Sequence, residues 1–236
     1  MKRVSIAAVV CALSGVAVSL VVPQAASAEP IRVVVGASTA TPPLAIWPGT
    51  PAPTGDRLAE LAERALDALG HPERLVWTPE VPADVNSSEY RVAREAVADE
   101  VGARLGIDPA RFVAAWTIAD ADHQVAVMAA LSQVGTPYKR RMSVPGVGFD
   151  CSGLTTYAWG TAGFVLPRNS TAQINAAAPR DVFTAQAGDL VRYPGHVMMW
   201  LGVDRAIVHS PNTGRRVEVV SLKERRFVRS RMGDPS

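Results

Sequence analysis

Cys151 stands between Asp150 and Ser152 in GVGFDCSGLTTYAWG (146–160), where a glycine-rich loop gives way to a helix-compatible run. A thiol at a helix start faces unsatisfied backbone N–H groups and the positive end of the helix dipole, and both favour thiolate. The same N–H groups can hold an oxyanion. Attack on an amide carbon further requires a base within hydrogen-bond reach and a group that orients it. The chain offers four histidines. His71 follows Gly70 at a helix end and His123 sits beside Asp122 in a polar helical stretch, so both read as solvated or capping residues. His196 and His209 flank a single hairpin. A loop of two or four residues centred on Gly202-Val203 pairs position 196 with 209 and sends both side chains to one face, whereas a three-residue loop shifts the pairing by one. Periodicity alone reads each of the two equally well as a satisfied sheet residue.

The second cysteine, Cys11, lies in a segment with the marks of a signal peptide. Lys2 and Arg3 form a basic start, Val4 to Val22 is free of charge, and Ala26-Ser27-Ala28 supplies a small-residue cleavage site before Glu29. An uncleaved anchor is the alternative, and Pro23 with the Ala-Ser-Ala triplet favours cleavage. Residues 1–28 are thus expected to be removed on export, leaving a protein of the cell wall or a periplasm-like space with no stable membrane insertion. The mature chain then keeps one thiol, which in an oxidising compartment is a buried bystander, an intermolecular pairing site or a nucleophile. Charge divides the chain unevenly: 56–122 holds 14 acidic and 7 basic residues, and 125–236 holds 7 acidic and 14 basic. With Lys2 and Arg3 removed the mature balance is zero, and no nucleic-acid partner is expected.

The elements that must position these residues follow from pattern. Residues 29–55 read as a short β-branched strand and a Pro-rich linker. DRLAELAERALDALG (56–70) has helical apolar spacing, Asn86-Ser87-Ser88 opens a second helix, and Asp108-Pro109 caps a third that runs with a break from Ala110 to Val134. The region 56–122 reads as a helical spacer, with a regulatory module or a docking site for a cell-wall protein as the alternative. GDLVRY (188–193), HVMMWLG (196–202), AIVHS (206–210) and RVEVVSL (216–222) are β-rich runs between turn signals and read as an antiparallel meander. The fold class is α+β, with the cysteine at a helix start.

FDCSGL (149–154), LPRNSTAQ (166–173), AGDLVRY (187–193), GHVMMWLG (195–202) and VHSPNTG (208–214) resemble, in order and spacing, the NlpC family of papain-like cysteine peptidases, bacterial cell-wall endopeptidases. The resemblance covers roughly residues 125–222 and places a catalytic domain at 123–236. It implies a helix bearing the cysteine packed on an antiparallel sheet, with Cys151 as nucleophile, His196 as general base and His209 as its orienter. It also implies Tyr138 beside the nucleophile, and Asp150 and Ser152 as holders of a substrate amine. The expected substrate is a peptidoglycan stem peptide, cut at the γ-D-glutamyl to meso-diaminopimelate bond by a monomer that needs no cofactor or metal. Lys139-Arg140-Arg141 departs from the aromatic and glycines usual after that tyrosine, which leaves the substrate wall open. Alternatives are an amidase or acyltransferase on the same scaffold and a non-catalytic wall-binding protein.

Overall fold

The computed structural model describes residues 54–70 and 83–236. The signal peptide, nearly all of the 29–55 strand and linker, and His71 lie outside them. Four helices come first: α1 (Arg57–Ala68), α2 (Ser88–Leu105), α3 (Pro109–Ile118) and α4 (Ala121–Leu131). Each of the first three begins where a short polar side chain caps it, with Asp56, Ser87 and Asp108 accepting from Leu58, Tyr90 and Ala110 N–H. Gly106 ends α2 in the left-handed region at φ 67°, where a side chain would be strained. The expected break before α4 falls at Ala119-Asp120.

A two-stranded piece, β1 (Ser143–Val144) and β2 (Gly148–Phe149), leads into α5 (Cys151–Thr161). Then follow α6 (Ser170–Ala176), β3 (Ala178–Arg180), β4 (Leu190–Tyr193), β5 (His196–Trp200), β6 (Ala206–His209), β7 (Glu218–Ser221), α7 (Glu224–Phe227) and β8 (Arg231–Asp234). The expected meander is β4 to β7, and β8 and β3 extend it to a sheet ordered β3-β8-β4-β5-β6-β7 with every pair antiparallel. Among the described residues, no helix is long and apolar enough to cross a membrane.

Residues 56–122 do not stand apart as a spacer. Leu58 and Leu66 of α1, Val97 and Val101 of α2 and Trp116 of α3 belong to the same buried cluster as Leu154 of α5 and Val197 and Met199 of β5. At its centre α4 is buried from His123 to Leu131, as a helix covered on all sides must be. The ion pair Arg111–Asp204, 2.6 Å, joins a base of the acidic half to an acid of the basic half, and the Trp116 indole donates to the Leu201 carbonyl at 2.9 Å.

The β5–β6 turn differs from expectation by one residue. Leu201 N–H donates to the Ala206 carbonyl at 3.0 Å, so the loop is Gly202–Arg205 and its centre falls after Val203. Met199 faces Val208 and Trp200 faces Ile207, so His196 does not sit directly opposite His209. The loop keeps an even length, the slip is two positions, and a slip of two leaves both side chains on one face.

Candidate active site

Cys151 is the first residue of α5 and is half-buried as a free thiol. Asp150 caps the helix by accepting from Gly153 N–H at 2.7 Å. Its other oxygen accepts from Arg141 N–H at 2.8 Å, at a residue whose φ is 59°. The loop crowds the helix start here, since a side chain at Gly153 would collide with the Met142 carbonyl. The Arg168 guanidinium also bonds both Asp150 oxygens, at 2.9 and 3.1 Å, the Ser152 hydroxyl at 3.0 Å and the Met142 carbonyl at 3.0 Å. Asp150 and Ser152 therefore already share a cation, Arg168 of LPRNSTAQ (166–173), a functional position that the motif alone does not reveal. A cation between the cysteine block and the histidine blocks, with a carboxylate beside the thiol to answer it, was the available signal.

Tyr138 stands beside this helix start. Burial first, then negative charge at Cys151 and Asp150, push its phenol up. Main-chain bonds fix its segment on two sides. Gly135 N–H donates to Val217 O at 2.9 Å, Val217 N–H to Thr136 O at 2.8 Å and Tyr138 N–H to Arg215 O at 2.8 Å. On the other side Phe149 N–H donates to Pro137 O at 3.2 Å and Lys139 N–H to Phe149 O at 2.9 Å. Lys139, Arg140 and Arg141 are exposed.

His196 opens β5 and His209 closes β6, and both are buried. His196 Nε2 lies 2.8 Å from His209 Nδ1, and His209 Nε2 lies 3.2 Å from Glu218 Oε1. Arg215 in turn bonds Glu218. Burial, with the positive charge of His209 and Arg226, pushes His196 down to about 3; burial, with Arg215 and Arg226, pushes His209 down to about 4. Glu218 faces His209 with its charge already matched by Arg215, so it acts mainly as a hydrogen-bond acceptor. The pair is neutral at pH 7. Two contacts tie it to the cysteine: α5 packs on β5, and the Ser210 hydroxyl, next to His209, donates to the Phe149 carbonyl two residues before Cys151 at 2.7 Å.

His123 is neither solvated nor a cap. It is fully buried, with Nδ1 3.1 Å from Asp122 Oδ1 and Nε2 3.1 Å from Asp189 and 3.4 Å from Asp234. Trp159 meets its ring edge-on at a centroid distance of 4.8 Å. Burial opposes charge here, but the three carboxylates outweigh it and push His123 up to about 11. His123, Asp189 and Asp234 offer ligand atoms within 4.8 Å of one another, the types a metal would use. Their oxygens are engaged, however: Asp189 accepts from Gln186 N–H at 2.9 Å, and Asp234 from Arg180 and Ser236. A protonated imidazole satisfies this set.

Residues 135–233 match the NlpC/P60 family. A probable endopeptidase of Mycobacterium tuberculosis is 38% identical over 107 residues, covering 44% of this chain and 27% of that protein. A murein DD-endopeptidase of Escherichia coli is 32% identical over 120 residues, covering 47% of this chain and 44% of that protein. A γ-D-glutamyl-L-lysine dipeptidyl-peptidase of Bacillus cereus is 32% identical over 96 residues, covering 37% of this chain and 28% of that protein. The chain thus spans less than half the length of each of these relatives.

Proposed function

The chain belongs to the NlpC/P60 family through residues 135–233, and on that premise we propose that it is an exported cysteine endopeptidase of peptidoglycan stem peptides. The carrying observation is the buried, hydrogen-bonded His196–His209 pair, on a sheet covered by the helix that Cys151 opens. In this reading His196 takes the thiol proton as sulfur attacks the peptide carbonyl carbon. Backbone N–H groups at the start of α5 receive the charge that develops on the carbonyl oxygen. His196 then gives the proton to the leaving amine, and water hydrolyses the thioester with the same ring acting as base. His209 holds the ring in place throughout. Tyr138, Asp150 and Ser152 line the end that receives a substrate amine, which would share Asp150 with Arg168.

The bond we assign is γ-D-glutamyl to meso-diaminopimelate. The name of the Bacillus relative supports a γ-D-glutamyl bond, and the name of the Escherichia relative points instead to one between D-centres. The reading of residues 1–28 as a signal peptide supports action outside the cytoplasmic membrane. Digestion of purified peptidoglycan followed by mass spectrometry tests the whole proposal. Wild type should release fragments ending in D-glutamate, and Cys151→Ala should release none while keeping its fold. Hydrolysis by Cys151→Ala removes the thiol from the mechanism, products cut between D-centres reassign the bond, and glycan freed of intact peptide makes the enzyme an amidase.

A further inference from the structure

Beyond the cysteine and two histidines the site carries a fourth group, in a relay that leaves one consistent arrangement of protons. Glu218 and His209 are direct cross-strand partners in the β6–β7 ladder. Side chains directly opposite in such a ladder are close neighbours, so the carboxylate is placed by the sheet rather than by a loop. The Glu218–His209 contact is 3.2 Å and the His209–His196 contact 2.8 Å. Arg215 bonds the same Glu218 oxygen, Oε1, that faces His209 Nε2, and the Arg215 carbonyl receives Tyr138 N–H at 2.8 Å, next to the nucleophile.

We propose that Glu218, anchored by Arg215, is a positioning residue that sets the tautomers of both histidines and thereby leaves His196 Nδ1 as the atom that takes the thiol proton. A carboxylate only accepts hydrogen bonds, so His209 Nε2 must carry a hydrogen toward it. A neutral imidazole has one such hydrogen, so His209 Nδ1 is a lone pair. His196 Nε2 must then donate to that lone pair, and the remaining lone pair of His196 is on Nδ1. The opposite assignment points the His209 Nε2 lone pair at an anion and puts a hydrogen on His196 Nδ1, where it cannot accept a proton. When His196 becomes imidazolium during acylation, its Nε2–H still donates to His209, whose Nε2–H still donates to Glu218. No proton needs to leave the ring pair.

This inference rests on the hydrolase reading for its kinetics but not for its structural arm. In the full-length protein at pH 7, the imidazole ¹⁵N shifts of His196 and His209 should report hydrogen on Nε2 of both rings. In Glu218→Ala this preference should be lost. In Glu218→Gln, Arg215 can donate only to the amide oxygen, which keeps an acceptor at the position His209 Nε2 faces, so the preference should be retained. The kcat on stem peptides should fall about 10–100-fold in Glu218→Ala, the range seen when the partner that orients a metal-bound histidine is lost, and far less in Glu218→Gln, with KM little changed in either. Glu218→Asp should recover part of the rate, and thermal melting checks that each variant folds. Wild-type rings with hydrogen on Nδ1, or tautomers unchanged in Glu218→Ala, would overturn the proposal. A wild type that hydrolyses no peptidoglycan peptide, with the tautomers as stated, would overturn the hydrolase reading and leave the Glu218 relay standing.

Discussion

The molecule buries histidine in two places to similar depth and gives the rings opposite charge. At His123, three carboxylates from α4, the turn before β4 and β8 surround one ring and push it up to about 11. At the His196–His209 pair there is one carboxylate, Glu218, already held by Arg215, and the nearby charges of Arg215 and Arg226 are positive, so the rings fall to about 3 and 4. Burial penalises a charged imidazole in both places, so it cannot be what separates them. The count and compensation of neighbouring carboxylates decide. One arrangement yields a permanent cation that binds three elements together, and the other yields a neutral ring free to receive a proton.

The contrast predicts separable losses. His196→Ala should cost about 10²–10⁴ in kcat/KM, the usual worth of a general base, while leaving the urea midpoint close to wild type. A parallel fall in stability would mean that the pair is chiefly structural. His123→Ala should act the other way, lowering unfolding free energy by about 3–5 kcal/mol because Asp189 and Asp234 lose their buried cation. Activity per folded molecule should persist, and a variant as stable as wild type would show that the imidazolium is not needed.

The smallest effect lies in the pH dependence of stability. Because the folded value of His123 is raised, its contribution is complete below the ordinary ~6.5 and drains away as pH rises toward about 11. Because those of His196 and His209 are lowered, folding is penalised as pH falls below ~6.5 toward about 4 and 3, where unfolded rings bind protons that folded ones refuse. Urea titrations across pH should therefore lose part of the alkaline decline in His123→Gln and part of the acid decline in His209→Gln. The same limb changing in both variants would break the comparison.

Which parts were legible in the sequence follows from where the determining contacts lie. Asp56, Ser87 and Asp108 announce helix starts because a cap bonds two or three residues away. The β4–β7 meander is legible because β-branched runs alternate with turn residues, and Cys151 at a helix start follows from a glycine-rich loop meeting a helical run. β3 and β8 were not foreseen: Ala178-Pro179-Arg180 and Arg231-Met232-Gly233-Asp234 have poor strand composition and become strands only by pairing with each other and with β4. The role of His123 is hidden because Asp189 and Asp234 reach it from distant parts of the chain, while Asp122 beside it in a polar helical stretch suggests a solvated or capping residue. Arg168 and Glu218 needed a loop path and a strand register, and the one-residue displacement of the Gly202–Arg205 turn shows how finely register must be known before such partners appear.

The double anchorage of residues 135–139 also governs motion. The amides of Gly135 and Tyr138, bonded to Val217 and Arg215, and that of Lys139, bonded to Phe149, exchange with solvent only when those contacts part, so this segment opens with its neighbours on both sides rather than as a surface flap. The wall that carries Tyr138 is therefore held from both sides, and a ligand reaching it would meet a surface fixed by main-chain bonds instead of a moving loop.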